Sequence, residues 1–468
     1  MALMSPRPGV DMSDAVERSA GHPSRRRLYP WIVFALAFAL LLSDYMSRQV
    51  LSAVFVPLGQ ELDLDKGQLG SLISVVALMV GLLTLPVSIL ADRWGRVRSL
   101  TVMAVVWSLA TLACAFAQSY EQLLIARFFV GAGEAAYGSV GIALVLGLFA
   151  PRVHAALSAA FMAGGSFGTM IGTAIGGVVA VHVGWRWSIG AMAVLGLLLV
   201  AAFKLIVTEV RVRRSQYNGP GRNKNPRNES PREADDVTST DVAPEPETGE
   251  LPPAVRAPLS SLFTNPAVMC AYIGSGLQMF MAAVMLTWLP TYFKESYGMG
   301  VDEAAGTAAV FVMLVGSGMI VCGCAADRVS RTDTTRKWTI GIAFCGVAFI
   351  ALLTAFRLET GPGQLILLGI GAFFCAGCSG TAAATVASLT HRSVQASAMG
   401  TLTLANNLLG LAAAPFLIGV LADHLTLLGA LRVAPLVYLP AVAAMYIGYR
   451  LHPRGVAKLR AVTAGVAR

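Results

Sequence analysis

Two pairs of ionisable residues lie inside long apolar runs of this chain. Asp44 and Arg48 stand four residues apart, and Arg127 and Glu134 seven apart. Both spacings put the members of a pair on one helix face. In a dry setting, a carboxyl beside a guanidinium can take up and release a proton. A guanidinium can also hold an anionic ligand through charge-assisted hydrogen bonds. The four groups together carry no net charge when fully ionised, so they suit a proton or substrate relay. A locked ion-pair staple that never titrates is the other reading of the same residues. Gln278, Asn406 and Asn407, polar positions in the later apolar runs, could line the same site. Each serves equally well as a simple bond between helices.

The elements around these residues follow from composition. The chain of 468 residues is 56% hydrophobic and only 13% charged, with a mean hydropathy of +0.66. Soluble domains carry about 25% charged residues, so this chain lacks the polar side chains to cover a wet surface. Spanning a bilayer takes about 20 apolar residues in a helix. Twelve runs of that length occur, near 30–57, 67–91, 98–118, 121–149, 155–182, 187–208, 266–293, 303–326, 337–356, 363–389, 395–422 and 428–450. They are numbered here as spans 1 to 12. No period-2 alternation of a membrane barrel is present. The expected fold is therefore an all-α integral membrane protein of twelve transmembrane helices in two six-helix bundles. Charge inside such helices is costly and by default marks a pathway. At 1.5 Å per residue, Asp44 and Glu134 come out near the midplane, with Arg48 and Arg127 ~6–10 Å nearer one side.

The chain repeats itself. Gly81 precedes Asp92-Arg93 by 11 residues, and Gly316 precedes Asp327-Arg328 by 11, with the two copies 235 residues apart. Each copy is an apolar run that ends abruptly in Asp-Arg and a basic turn. A membrane protein built from two similar halves is suited to alternating access to a site between them. The expected organisation is a tail over 1–28, a first bundle over 29–209, a linker over 210–258, a second bundle over 259–452 and a tail over 453–468. The first tail and the linker are rich in Pro, Ser, Arg and Glu and read as disordered.

Orientation comes from the basic residues. Of 35 Lys and Arg, 5 lie at or near one side and 2, Arg48 and Arg127, lie deep inside spans, leaving 28 towards the side of the termini. The positive-inside rule makes that side the cytoplasm. The expected location is the plasma (inner) membrane, multi-pass, with both termini cytoplasmic. Arg25-Arg26-Arg27 precede span 1, but that run exceeds the length of a signal peptide's apolar core and reads as a retained helix. The net charge of +9 then reflects topology and contact with anionic lipid. No basic motif or base-stacking array points to nucleic acid.

Several chemistries are excluded. Cys114, Cys270, Cys322, Cys324, Cys345, Cys375 and Cys378 all fall inside predicted spans without partner ligands, so no metal site is expected. Gly164-Gly165-Ser166-Phe167-Gly168 matches a nucleophile-elbow pattern but lies in a span whose glycines recur at 164, 168, 172 and 176. That spacing serves close helix packing. Gly131-Ala132-Gly133-Glu134-Ala135-Ala136 lacks the strand a dinucleotide site needs. With no phosphate-binding loop either, the chain does not read as an enzyme.

At these residues the chain resembles the major facilitator superfamily. Gly81…Asp92-Arg93-Trp94-Gly95-Arg96 is similar to that superfamily's motif between spans 2 and 3, Arg127…Gly131-Ala132-Gly133 to its span-4 motif, and Gly316…Asp327-Arg328 to its weaker repeat. Residues 43–54 and 126–140 look most like the spinster-like and anion:cation symporter branches. Those branches typically read Asn-Tyr-x-Asp-Arg in span 1. This chain reads Asp44-Tyr45-Met46-Ser47-Arg48, with the acid displaced.

The resemblance implies two bundles rocking about a midplane cavity. Glu134 and Asp44 would couple the proton, with Asp44 standing in for the acid that Ser47 replaces, or with Glu134 acting alone. Arg48, Arg127, Tyr45, Gln278, Asn406 and Asn407 would meet the substrate. Gly81, Asp92, Arg93, Gly95, Arg96, Asp327 and Arg328 would gate the cytoplasmic side. The implied function is proton-coupled symport of a small organic anion by a monomer in the lipid bilayer, with no cofactor and a proton gradient as the energy source. Efflux of amphipathic drugs or lysolipids, and a sensor on the same fold that transports nothing, are the alternatives.

Overall fold

The computed structural model describes residues 23–150, 153–209, 211–212, 260–330 and 335–466. The side chains at 23–27, 92, 155, 162, 392, 396 and 464–466 fall outside the description. Apart from Arg211 and Val212, the expected linker therefore lies outside the described residues, as does most of the first tail. Among those described, twelve helices are long and apolar enough to cross a membrane, and no strand occurs. The spans are Leu28–Ala53, Lys66–Ala91, Arg96–Phe116, Tyr120–Leu146, Ala156–Val183, Trp185–Ile206, Pro266–Tyr297, Val301–Val329, Arg336–Ala355, Pro362–Ser388, Ser397–Leu425 and Leu427–Thr463.

Local chemistry sets the helix ends. The Asp65 carboxylate accepts from the backbone N–H of Gln68 at 2.6 Å, and the side-chain amide oxygen of Gln68 accepts from the backbone N–H of Asp65 at 3.1 Å. This reciprocal box starts span 2 and satisfies two orphan donors. Gly95 turns the chain from span 2 into span 3 with φ 96°, a conformation that costs other residues a Cβ clash. The Glu209 carboxylate fills the space beside it and accepts from the N–H of Val97 at 3.2 Å. Outside the spans, Glu61 accepts from the Trp185 indole at 2.5 Å and from Arg186. The Trp185 bond, then the Arg186 bond, holds the Glu61 carboxyl below the usual carboxylate range.

The glycine stripe of span 5 does what its spacing predicts. A Cβ at Gly168 would lie 2.6 Å from the Leu42 carbonyl, and one at Gly172 only 2.7 Å from the Met46 Cα. Span 5 thus packs directly on span 1, backbone to backbone. The serine of the apparent nucleophile elbow faces Gly316 of span 8, so it packs between helices.

Spans 4 and 10 are each broken near mid-membrane. Span 4 is helical over Tyr120–Glu134 and again from Tyr137, and span 10 over Pro362–Cys375 and again from Ser379. A break inside a bilayer frees backbone carbonyls that must find partners. Thr84 donates to the Ala135 carbonyl at 2.6 Å, and Gln278 donates to the Cys375 carbonyl at 2.6 Å. Span 11 carries a π-helical stretch, Asn406–Ala412.

The last helix runs to Val466, beyond the expected boundary at 452. The extension is docked on the start of span 7: Asn265 donates to the Gly455 carbonyl at 3.2 Å and Lys458 to the Thr264 carbonyl at 2.6 Å.

The halves meet where span 2 packs on span 11, span 5 on span 8, and span 1 on span 7. On the side away from the termini this contact is very close. A Cβ at Gly70 would overlap the Pro415 carbonyl, and one at Gly419 the Lys66 carbonyl. The cross-half bonds among the described residues lie at the midplane or on that far side. Gln49 donates to the Leu286 carbonyl at 2.5 Å, Ser74 accepts from the N–H of Phe416 at 3.1 Å, Lys66 pairs with Glu295 at 3.0 Å, and Asp423 accepts from the N–H groups of Lys66 and Gly67. The halves are pinned at their far ends.

Candidate functional site

Span 1 delivers Asp44, Tyr45 and Arg48 to the midplane, and span 4 delivers Arg127 and Glu134. Asp44, Arg127 and Glu134 are each at most 3% exposed. Glu134 is the last helical residue before the break in span 4. Its carboxylate meets the Arg48 guanidinium at 2.8 Å, and the same guanidinium lies 3.9 Å from the Asp44 carboxylate. One cation thus faces two acids. The Arg48 guanidinium also lies 5.3 Å from the Tyr45 ring centre, a cation–π distance. Ser47, at the position of the displaced family acid, donates back to the Asp44 carbonyl at 2.8 Å.

The expected four-member network is a three-member one. No carboxylate within ion-pair distance of Arg127 is seen among the described residues, and its Nε lacks a hydrogen-bond partner. The reason is axial distance. Seven residues of helix place Arg127 about 10 Å along the axis from Glu134, and Arg48 reaches that carboxylate first.

Arg127 instead borders a cavity of about 140 Å³ between the halves. Tyr45, Arg48, Gln49, Arg127 and Thr169 enter it from the first half, and Ala283, Leu286, Thr287 and Leu411 from the second. Three of the six expected substrate residues, Tyr45, Arg48 and Arg127, share this space. Gln278 does not line it. Fully buried, it patches the broken backbone of span 10. Asn406 and Asn407 sit in the π stretch of span 11 and are also outside the cavity lining. Asn407 bonds to the Thr403 carbonyl at 2.9 Å and packs against Gly81, where a Cβ would lie 2.9 Å from its own. Gly81 thus lets spans 2 and 11 approach across the halves.

Among the described residues, no bond between the halves is seen at Arg93, Gly95, Arg96, Asp327 or Arg328 in this arrangement. Arg96 donates to the Ala143 carbonyl of its own half at 2.9 Å. Arg93, Asp327 and Arg328 are exposed. The Asp92 side chain lies outside the described residues.

Sequence reasoning missed Gln49, Glu209 and Asp423. Asp423 had a signal: Ala422-Asp423-His424 closes span 11 with the same Ala-Asp-basic order as Ala91-Asp92-Arg93 and Ala326-Asp327-Arg328.

The profile of the Major Facilitator Superfamily matches residues 36–415. This chain belongs to the Major Facilitator Superfamily. Among its superfamily relatives, a probable L-galactonate transporter of Escherichia coli (strain K12) is 24% identical over 76% of this chain and 75% of that one. A 4-hydroxybenzoate transporter of Pseudomonas putida is 25% identical over 64% of this chain and 67% of its own. The crystal structure of a bacterial homolog of the human lysosomal transporter spinster, inward-facing and unoccupied, superposes with a TM-score of 0.75 at 17% identity. That match covers 91% of this chain and 98% of the other. The chain is a membrane transporter of this superfamily and not an enzyme.

Proposed function

We propose that this chain carries a small organic anion across the membrane together with a proton, by alternating access of the midplane cavity. The observation that supports this reading most is the pair of guanidiniums bordering one cavity. Arg48 is held by Glu134 and Asp44, whereas Arg127 has no acidic neighbour within ion-pair distance among the described residues. An uncommitted buried cation suits a carboxylate ligand. Two carboxyls facing one cation leave a place for a proton, since like charges so close do not both ionise without compensation. The names of the relatives agree with it, since galactonate and 4-hydroxybenzoate are both carboxylates. In this reading the termini face the cytoplasm, as the basic residues indicate, the carrier works as a monomer, and no cofactor takes part.

The test is uptake into proteoliposomes holding the purified chain. Accumulation of a radiolabelled carboxylate only when the lumen is alkaline, abolished by a protonophore, supports the proposal. Accumulation indifferent to the pH gradient removes the proton from it. Outward pumping of an amphipathic dye points to efflux, and no flux of any solute points to a sensor.

A further inference from the structure

The cavity is divided by chemistry along the line between the halves. The charged groups, Arg48 and Arg127, come from the first half. The second half supplies Ala283, Leu286 and Leu411, with Thr287 its one polar side chain, and Ile73 and Val76 continue the apolar wall from span 2. Two of the four neutral polar residues have spent their donors. Gln49 spends its amide protons on the Leu286 carbonyl at 2.5 Å and on Ser52 at 2.7 Å, and Thr169 donates to the Gly165 carbonyl at 2.8 Å. Thr287 and Tyr45 are the remaining neutral donors, with the Gln49 side-chain oxygen and the Thr169 hydroxyl oxygen left as acceptors.

We infer that the substrate is a monocarboxylate with an apolar or aromatic body, held by Arg127 at one end and by the apolar wall at the other. This rests on the organic-anion reading above and narrows it. Size agrees: a cavity of about 140 Å³ matches one of about 150 Å³ that admits benzene. Charge agrees as well. Arg48 is already matched at 2.8 Å by Glu134, so one cation is left for one carboxylate, and a second carboxylate would enter unmatched. Hydroxyl count decides against a sugar acid. Such a molecule carries a hydroxyl on nearly every carbon, and each one buried without a partner weakens binding by about tenfold.

Titration calorimetry of the purified full-length chain, with benzoate, phthalate, gluconate and benzyl alcohol as probes, tests this. Benzoate should bind at least 30-fold more tightly than each of the others, and Arg127→Gln should weaken benzoate by 30-fold or more. Leu411→Asn, a change in the apolar wall, should narrow the benzoate-to-gluconate ratio by at least tenfold, which keeps the test open should Arg127→Gln fail to fold. Gluconate binding as well as benzoate would overturn the apolar-body assignment while leaving the anion reading intact. Phthalate binding as well as benzoate would overturn the single charge. Benzyl alcohol matching benzoate would overturn the anion reading itself, and binding of none of the four would overturn the assignment of substrate class.

Discussion

The carboxylate of Asp423, at the end of span 11, accepts the backbone N–H groups of Lys66 and Gly67, at the start of span 2, each at 2.8 Å. One side chain of the second half thereby caps a helix of the first. The geometry joins two favourable terms, a charge-assisted hydrogen bond and a negative charge at a helix N-terminus. Gly67 has no side chain to block the approach. A Cβ there would sit 3.1 Å from the Asp423 oxygen.

Asp423→Asn should therefore loosen the far end. Losing a charged acceptor costs about 1.5–3 kcal/mol, or roughly one to two powers of ten in a two-state balance. A single cysteine at position 287, in a background lacking the native cysteines, should react at least about tenfold faster with an impermeant thiol reagent applied from that side. Unchanged labelling would mean that Asp423 is not the clasp.

Arg48 and Arg127 should behave differently on removal. Arg48→Ala leaves Glu134 buried opposite no cation, a loss of about 3–5 kcal/mol, whereas Arg127→Ala breaks no ion pair seen among the described residues. The first should lower the melting temperature of the solubilised protein by ~5 °C or more and the second by much less. Glu134→Gln added to Arg48→Ala should restore part of the loss, as a double-mutant cycle would report. Equal melting shifts for the two arginines would contradict the assignment.

Glu134→Gln alone should abolish proton-driven accumulation and preserve substrate exchange. The amide keeps the shape at the break in span 4 but cannot carry the proton. Flux assays with and without a pH gradient separate the two activities. A mutant that still accumulates substrate at the wild-type rate would remove Glu134 from the coupling step.

Asp92→Asn should impair transport more than Asp327→Asn. The turn after Asp92 is built and braced by Gly95 at φ 96°, by Glu209 on Val97, and by Arg96 on the Ala143 carbonyl. The turn after Asp327 has no glycine. Removing one charged partner from a charge-assisted bond costs ~2–4 kcal/mol. Equal transport defects in the two would sink the latch on the side of the termini.

The spans were legible because hydropathy and length suffice to find them, and the depth of Asp44 and Glu134 followed from the rise per residue. Which acid Arg48 would take was not legible. That choice depends on how spans 1 and 4 rotate about their axes, and such rotation is set by packing against neighbours. Gln278 looked like a ligand for the same reason that it is buried: a polar side chain in an apolar run. Its partner is a carbonyl freed by a helix break, and Gly377, the weak helix former at that break, is one of 47 glycines in the chain and so did not single it out. Asp423 was overlooked because a carboxylate at a span end reads as ordinary water-facing charge, and its partners are backbone groups that carry no sequence signal.

The arithmetic of the buried charges has an electrical consequence. Asp44 and Glu134 against Arg48 and Arg127 sum to zero formal charge when all are ionised. Transmembrane voltage does work of about 2.3 kcal/mol per elementary charge per 100 mV, so under the proposed mechanism an empty carrier with all four groups ionised would reorient without electrical cost. One proton and one monocarboxylate added together leave the sum at zero. A carrier loaded in that way is equally blind to voltage, and in a cell it would draw on the pH difference alone.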